Sequence, residues 1–125
     1  MTVQSSNIAA LDKKIISYSP ESGNCTAWNG TITEQYCTKY GNICLIHVRG
    51  TVNSMSPFLS LFSLPWNPVG LYGSSDFGNL KAWKTGEDRP KEIFSAYNIN
   101  YNLVTVGDAS YNYDNYCFDM VFLSI

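Results

Sequence analysis

The spacing of apolar residues changes once along this chain, and the change predicts a short helix followed by a β-rich body. Near the N-terminus the apolar positions recur at the 3-4-3 spacing that puts them on one stripe of a helix. Those positions are Ile8, Leu11, Ile15 and Tyr18. Isolated helices shorter than about 12–15 residues are marginal in water. We therefore expect residues 1–19 to form a helical stalk or neck that joins copies of the chain as a coiled coil.

From residue 20 onward the pattern predicts an all-β domain that extends to residue 125. Residues 34–38 and 43–52 are predicted as strands, joined by a hairpin turn at residues 39–42 in which Gly41 can adopt a left-handed conformation. In the second strand, Cys44, Ile46 and Val48 should point to one side of the sheet, and Leu45, His47, Arg49 and Thr51 should alternate with them. Ile43 and Leu45 make the first half of this strand apolar on both faces, which is expected of a strand that starts buried and emerges.

The second half of the chain continues with short strands separated by turns. Strands are predicted at residues 70–80, 81–83, 93–97, 99–106 and 116–123. Residues 85–90 are rich in charged and turn-forming residues, which predicts a loop. Many short strands with regular turns are typical of a β-sandwich or jelly roll. The expected fold is therefore all-β, a sandwich-like or jelly-roll-like head preceded by a short helical neck.

Composition narrows the classes of partner. Only 14% of the residues are charged, against about a quarter in typical soluble domains, and 14% are aromatic. A surface made largely of Ser, Thr, Asn, Gln and Tyr suits neutral polar ligands. The net charge of −2, without a local Lys/Arg run, argues against nucleic-acid binding. We also expect no membrane insertion, because no apolar stretch is long enough to span a bilayer and the N-terminus lacks the pattern of a signal peptide.

The four cysteines, Cys25, Cys37, Cys44 and Cys117, have no metal-binding spacing. We expect free thiols or small buried side chains, and neither a metal nor another cofactor. A disulfide between Cys37 and Cys44 stays open, because both flank the predicted hairpin turn and the register decides whether they face each other.

Groups suited to catalysis are scarce. His47 is the single histidine, and no Gly-x-Ser-x-Gly segment is present to display a nucleophilic serine. We therefore expect His47 to be a polar residue on an exposed or interface face, and the protein not to be an enzyme. A glycosidase would need two carboxylates about 5–10 Å apart. Asp108, Asp114 and Asp119 are the candidates that lie close together in sequence.

Alternating aromatic and polar side chains form the best candidate for ligand binding. The predicted loop contains Tyr111, Asn112, Tyr113, Asp114 and Asn115. Sugars need an apolar face to stack on and paired hydrogen-bonding groups, and this segment offers both. A second candidate consists of Trp83, Asp88 and Arg89. Two alternatives stay open: the aromatic residues belong to the core or to a subunit interface, or the loop oxygens bind calcium instead of building a turn.

One stretch of the sequence resembles a known family. Trp28 is followed by a polar strand, by Tyr-Cys-Thr-Lys-Tyr-Gly-Asn-Ile-Cys at residues 36–44, by Val-Arg-Gly-Thr-Val at residues 48–52 and by Leu64-Pro65. This order resembles the C-terminal head domains of tail-fibre and baseplate receptor-binding proteins from phages and prophages of Gram-positive bacteria. The resemblance implies a homotrimeric β-sandwich head that binds a host-surface glycan, and it transfers no ligand residue.

Together these expectations describe a non-catalytic adhesin of a phage tail. It would be assembled in the bacterial cytoplasm with other tail or baseplate proteins and carried on the virion, where it binds a cell-surface saccharide of the host. The alternatives are a tail-associated glycan depolymerase and a purely structural virion protein.

Overall fold

A computed structural model describes residues 19–69, 77–87 and 89–124, which form ten β-strands and no helix. The strands are β1 (Glu21–Gly23), β2 (Thr26–Ala27), β3 (Thr31–Tyr40), β4 (Ile43–Thr51), β5 (Ser60–Ser63), β6 (Asn79–Trp83), β7 (Lys91–Ile93), β8 (Ser95–Asn98), β9 (Leu103–Val106) and β10 (Asn115–Leu123). The predicted neck, with Ile8, Leu11, Ile15 and Tyr18, lies outside the described residues, and so does Asp88. In the part of the chain that is described, nothing has the helical length and apolarity needed to cross a bilayer.

The strands make two antiparallel sheets, which confirms the all-β class. A six-stranded sheet has the order β1-β3-β4-β10-β6-β7, and a four-stranded sheet has the order β2-β5-β9-β8. Aromatic rings connect the two sheets through the core. Phe62 of β5 lies 5.4 Å from Phe118 and 6.0 Å from Tyr116, both of β10, measured between ring centroids. The two sheets thus share one apolar core, as in a β-sandwich.

The β3–β4 hairpin confirms the clearest part of the predicted pattern. Gly41 occupies the turn with a φ of 58°, a left-handed value that favours glycine. Along β4, Cys44, Ile46 and Val48 are buried, whereas the alternate residues face outward. The predicted alternation in β4 is therefore observed, and it separates an apolar inner face of the sheet from an outer one.

Strand β10 occupies the middle of the larger sheet. It pairs with β4 along its whole length and with β6 over residues 115–119. Tyr116, Phe118 and Phe122 point into the core, and Gly50 of β4 leaves room for the first of them. A Cβ atom added at Gly50 would lie 2.6 Å from Cζ of Tyr116. The outward residues of β10 therefore lie on a strand that is paired with β4 along its length, is paired with β6 over residues 115–119, and packs against the core on its inner face.

Two parts of the predicted pattern are corrected by the structure. Residues 93–97 were expected to form one strand, but Ile93 ends β7 in the larger sheet and Ser95 begins β8 in the smaller one. The chain changes sheets at Phe94, whose carbonyl accepts a hydrogen bond from the Gly107 amide. Strand β5 was not predicted at all, although it pairs with both β2 and β9. Its four residues are too short a run for a sequence period to show.

Candidate functional site

Trp83, from one of the two ligand candidates selected from the sequence, meets the end of the other candidate, the segment 111–115, at one end of the larger sheet. Trp83, the last residue of β6, pairs directly with Asn115, the first residue of β10. The Asp114 amide also donates a hydrogen bond to the Trp83 carbonyl at 3.2 Å. Antiparallel pairing of β6 with β10 thus brings residues 83–85 against Asp114 and Asn115, the end of the segment 111–115. We call this group, Trp83, Thr85, Tyr111, Tyr113, Asp114 and Asn115, the loop-end site.

A small hydrogen-bonded network fixes the polar part of the loop-end site. One carboxylate oxygen of Asp114 accepts hydrogen bonds from the Thr85 amide and from Nδ2 of Asn115, each at 2.8 Å. Nδ2 of the Asn115 side chain also donates a hydrogen bond to the Thr85 hydroxyl at 2.7 Å. The hydrogen bond from the Thr85 backbone is the main reason why the pKa of Asp114 is lowered. Asp114 is therefore an ionised carboxylate held in a fixed orientation.

These contacts also bear on the calcium alternative. The Asp114 carboxylate accepts hydrogen bonds from amide and backbone donors that belong to the loop itself. This is the behaviour expected of Asp and Asn side chains that build a turn. Asn112 is exposed, and no hydrogen bond or ion pair joins Arg89 to the described residues of the site.

Aromatic side chains supply the apolar part of the loop-end site. The rings of Tyr111 and Tyr113 are stacked, with centroids 5.9 Å apart and planes inclined by 15°. Both are half-buried and pack against the core, so part of each ring does serve the core, as one alternative proposed. Trp83 is half-buried as well, and the guanidinium carbon of Arg49 lies 5.4 Å from its ring centroid. Flat faces and fixed hydrogen-bonding groups therefore occur side by side.

A second polar group lies on the outward face of the same sheet and was not predicted. His47 of β4 stands between Tyr36 of β3 and Asp119 of β10 in the strand register. Its Nδ1 lies 2.6 Å from Oδ1 of Asp119, and its Nε2 lies 3.0 Å from Oε2 of Glu34. The hydrogen bond to Glu34 and then that to Asp119 raise the pKa of His47, and partial burial opposes them. We call Glu34, His47, Cys117 and Asp119 the cross-strand cluster.

The cross-strand cluster has further neighbours. Sγ of Cys117 lies 3.6 Å from Oδ2 of Asp119. The ring of Tyr36 stacks on His47 with centroids 5.9 Å apart. Burial is the main cause of the raised pKa of Cys117, and the Asp119 charge adds to it. The raised pKa of this half-buried thiol is the opposite of the lowered pKa that activates a cysteine nucleophile.

Beyond His47, the outward face of the sheet becomes apolar. Cross-strand rows of β3, β4 and β10 place large side chains next to one another. The exposed members are Tyr36, Tyr40, Ile43, Leu45, Val121 and Leu123. A shallow depression of about 520 Å³ lies where Tyr36, Leu45 and Val121 adjoin His47 and Asp119. The cross-strand cluster is thus the polar border of an exposed apolar surface.

The cysteines on the inner face answer the question that the sequence left open. Cys37 lies opposite Ile46 and Cys44 opposite Lys39, so the two do not face each other directly. The neighbour of Cys37 is Cys25, with 3.6 Å between the two sulfur atoms. All four cysteines are free thiols. The hydrogen bond with Cys25 lowers the pKa of Cys37 to about 7.

Sequence reasoning missed the cross-strand cluster because its members are far apart along the chain. Glu34 and Asp119 are 13 and 72 residues away from His47. Only the register of three strands brings them together. Comparisons of the chain with models of protein families, with curated proteins and with solved structures gave no match.

Proposed function

We propose that this chain is a non-catalytic carbohydrate-binding domain, the head of a phage-tail receptor-binding protein, and that the loop-end site holds the saccharide. The observation that carries the proposal is the meeting of Trp83 with Asp114 and Asn115 at one end of the larger sheet. Each segment has the residue types that sugars require, and their union gives one site with aromatic faces and polar groups together.

The chemistry of the loop-end site suits neutral sugars. A pyranose ring has an apolar face that packs on an aromatic ring, and Trp83 and Tyr113 are each half-exposed. Vicinal hydroxyls need acceptors and donors at fixed positions, and the Asp114 carboxylate is oriented by its bonds to Thr85 and Asn115. Orientation before binding reduces the entropy that the complex must lose.

The lowered pKa of Asp114 argues against one catalytic role of this residue. A glycosidase needs a carboxylic acid with a raised pKa to protonate the leaving oxygen. The pKa of Asp114 is shifted in the opposite direction, because the Thr85 amide stabilises its charged form. Asp114 is therefore suited to accept hydrogen bonds from hydroxyls and is unsuited to the role of general acid.

The phage-tail context rests on the resemblance of residues 28–68 to receptor-binding heads, and the expected homotrimer rests on it and on the apolar stripe of the neck. Single sugar sites bind weakly, and linking several of them raises the overall avidity by roughly 10²–10⁴. A trimer would therefore make a modest loop-end site effective on a cell surface that displays many copies of one glycan. Light scattering coupled to size exclusion should give a mass of three times 14.0 kDa.

A glycan microarray carrying bacterial surface polysaccharides tests the proposal. We expect the full chain to bind a restricted set of them, and Trp83→Ala and Asp114→Ala to lower the affinity for the best ligand at least tenfold. Trp28→Ala is the matched control, because Trp28 is an accessible aromatic residue that contacts Tyr101 and hydrogen-bonds to the Leu61 carbonyl instead of to this loop.

Three results would contradict the proposal. Absence of glycan binding by a folded trimer would favour the structural-protein alternative. Equal losses of glycan affinity in Trp28→Ala and Trp83→Ala would show that the loop-end site does not hold the saccharide. Shortening of a bound polysaccharide, prevented by Asp114→Asn, would favour the depolymerase instead.

A further inference from the structure

Three different kinds of donor atom converge on the outward face of the larger sheet. They are an imidazole nitrogen of His47, the sulfur of Cys117 and a carboxylate oxygen of Asp119, and all lie within 4.8 Å of one another. The β4–β10 pairing sets Asp119 directly opposite His47, and Cys117 precedes Asp119 by two residues on the same face. The strand register alone therefore holds the three donors in place.

We propose that His47, Cys117 and Asp119 form a binding site for a borderline-soft transition-metal dication, Zn²⁺ being the best fit. Zinc binds nitrogen, sulfur and oxygen donors at about 2.0–2.3 Å, so the donors around one tetrahedral ion lie roughly 3.3–3.8 Å apart. Sγ of Cys117 is already 3.6 Å from Oδ2 of Asp119. Nδ1 of His47 lies only 2.6 Å from Oδ1 of Asp119. The two side chains therefore have to move apart before an ion can enter between them.

Glu34 completes the arrangement from the other side of the imidazole. A histidine that binds a metal through one ring nitrogen commonly donates the N–H of the other to a carboxylate, which fixes the ring and its tautomer. Oε2 of Glu34 lies 3.0 Å from Nε2 of His47, so this partner is present and leaves Nδ1 for the metal. Glu34 is thus a positioning residue of the site.

The donor set selects the class of metal. Mg²⁺ and Ca²⁺ prefer oxygen ligands alone, whereas a thiolate and an imidazole together favour Zn²⁺ and related ions. Binding replaces the thiol proton of Cys117, which passes to solvent, and uses the Nδ1 lone pair of a neutral His47. Three protein ligands leave a fourth position open, and the Asp119 and His47 side chains, 54% and 30% exposed, leave that position accessible.

The charged neighbours are compatible with a bound cation. With a thiolate at Cys117, the site and Glu34 carry three negative charges. Arg49 and Lys81 flank Cys117 on the adjoining strands, and the Arg49 guanidinium is directed over Trp83. The metal site does not depend on the saccharide proposal, because the loop-end site shares no residue with it.

Cobalt(II) serves as a spectroscopic probe of the reduced full chain. We expect one Co²⁺ per chain, with a thiolate-to-cobalt charge-transfer band in the near ultraviolet, and displacement of the cobalt by one equivalent of Zn²⁺. Cys117→Ser should remove the band. His47→Gln and Asp119→Asn should each weaken Zn²⁺ binding, measured by calorimetry, at least tenfold, and Glu34→Gln should weaken it about tenfold while keeping the band.

Cys37→Ser is the matched control, because it removes a thiol of the Cys25–Cys37 pair and leaves the three proposed ligands in place. The band should persist in this variant. Loss of the band in Cys37→Ser together with its retention in Cys117→Ser would move the metal to the buried thiols and overturn the proposal. Absence of any 1:1 binding to the folded wild-type chain would overturn it as well. The substitutions at Glu34, His47, Cys117 and Asp119 lie on the outward face of β3, β4 and β10 and leave the core unchanged, whereas Cys37→Ser changes a buried position. Circular dichroism should show all variants folded.

Discussion

The loop-end site and the cross-strand cluster both take residues from the larger sheet, but the chain assembles them differently. The loop-end site unites two short segments through the pairing of β6 with β10. The cross-strand cluster takes one or two residues from each of β3, β4 and β10. The first consists of runs that are visible in the sequence, and the second exists only after the strands have found their register. Both depend on β10, which carries Asn115 at one end and Asp119 near its middle.

The largest effect should come from removing the support that both regions share. Phe118 of β10 is fully buried and contacts Phe62 and Phe77. Phe118→Ala should lower the free energy of unfolding by about 3–5 kcal/mol, because the lost ring leaves a cavity. Urea denaturation followed by fluorescence measures it.

Val121→Ala is the control for this substitution, since Val121 lies on the same strand but points outward and is 64% exposed. It should change the stability by no more than about 0.5 kcal/mol. Similar losses of unfolding free energy in Phe118→Ala and Val121→Ala would mean that the outward face of β10 is covered in solution. The distinction between a buried inner face and an exposed outer face would then be wrong.

The difference between contiguous segments and residues joined by strand pairing explains what could be predicted from the sequence. Alternation in residues 43–52 and the glycine at position 41 were sufficient for the β3–β4 hairpin, because period and turn chemistry are local. The change of sheets at Phe94 was missed, since an apolar run looks the same whether it stays in one sheet or crosses to another. Candidate residues at 83 and 111–115 could be chosen because their stacking and hydrogen-bonding groups are contiguous. His47 could not be connected to Glu34 and Asp119, because nothing in the sequence states which strands are neighbours.

Zinc should separate the two regions by acting on one of them only. If the cross-strand cluster binds Zn²⁺, free metal at about 100 times the dissociation constant stabilises the folded chain by about 2.7 kcal/mol. Thermal unfolding with and without Zn²⁺ should show this stabilisation in the wild type and in Cys37→Ser, but not in Cys117→Ser. Glycan binding at the loop-end site should stay the same in all three. Equal stabilisation of Cys117→Ser would show that the metal binds elsewhere.

The smallest effect should come from the hydrogen-bonded network around Asp114, and it should appear as a dependence of stability on pH. The folded pKa of Asp114 lies below the ordinary value of 3.8. Its contribution to stability is therefore complete above about pH 3.8 and is lost as the pH falls through the lower, folded pKa. Asp114→Asn should melt slightly below the wild type at neutral pH, and the difference should vanish in strong acid.

Thr85→Ala distinguishes the donors that hold this carboxylate. It removes the Thr85 hydroxyl but keeps the backbone N–H, the principal cause of the lowered pKa of Asp114. The variant should therefore keep most of the acid dependence of the wild type, and nuclear magnetic resonance titration of the Asp114 carboxyl carbon should still report a depressed pKa. A return of that pKa to about 3.8 in Thr85→Ala would assign the effect to the hydroxyl. The polar half of the loop-end site would then depend on side chains alone, as the cross-strand cluster does. The two regions would then differ only in where they lie on the sheet.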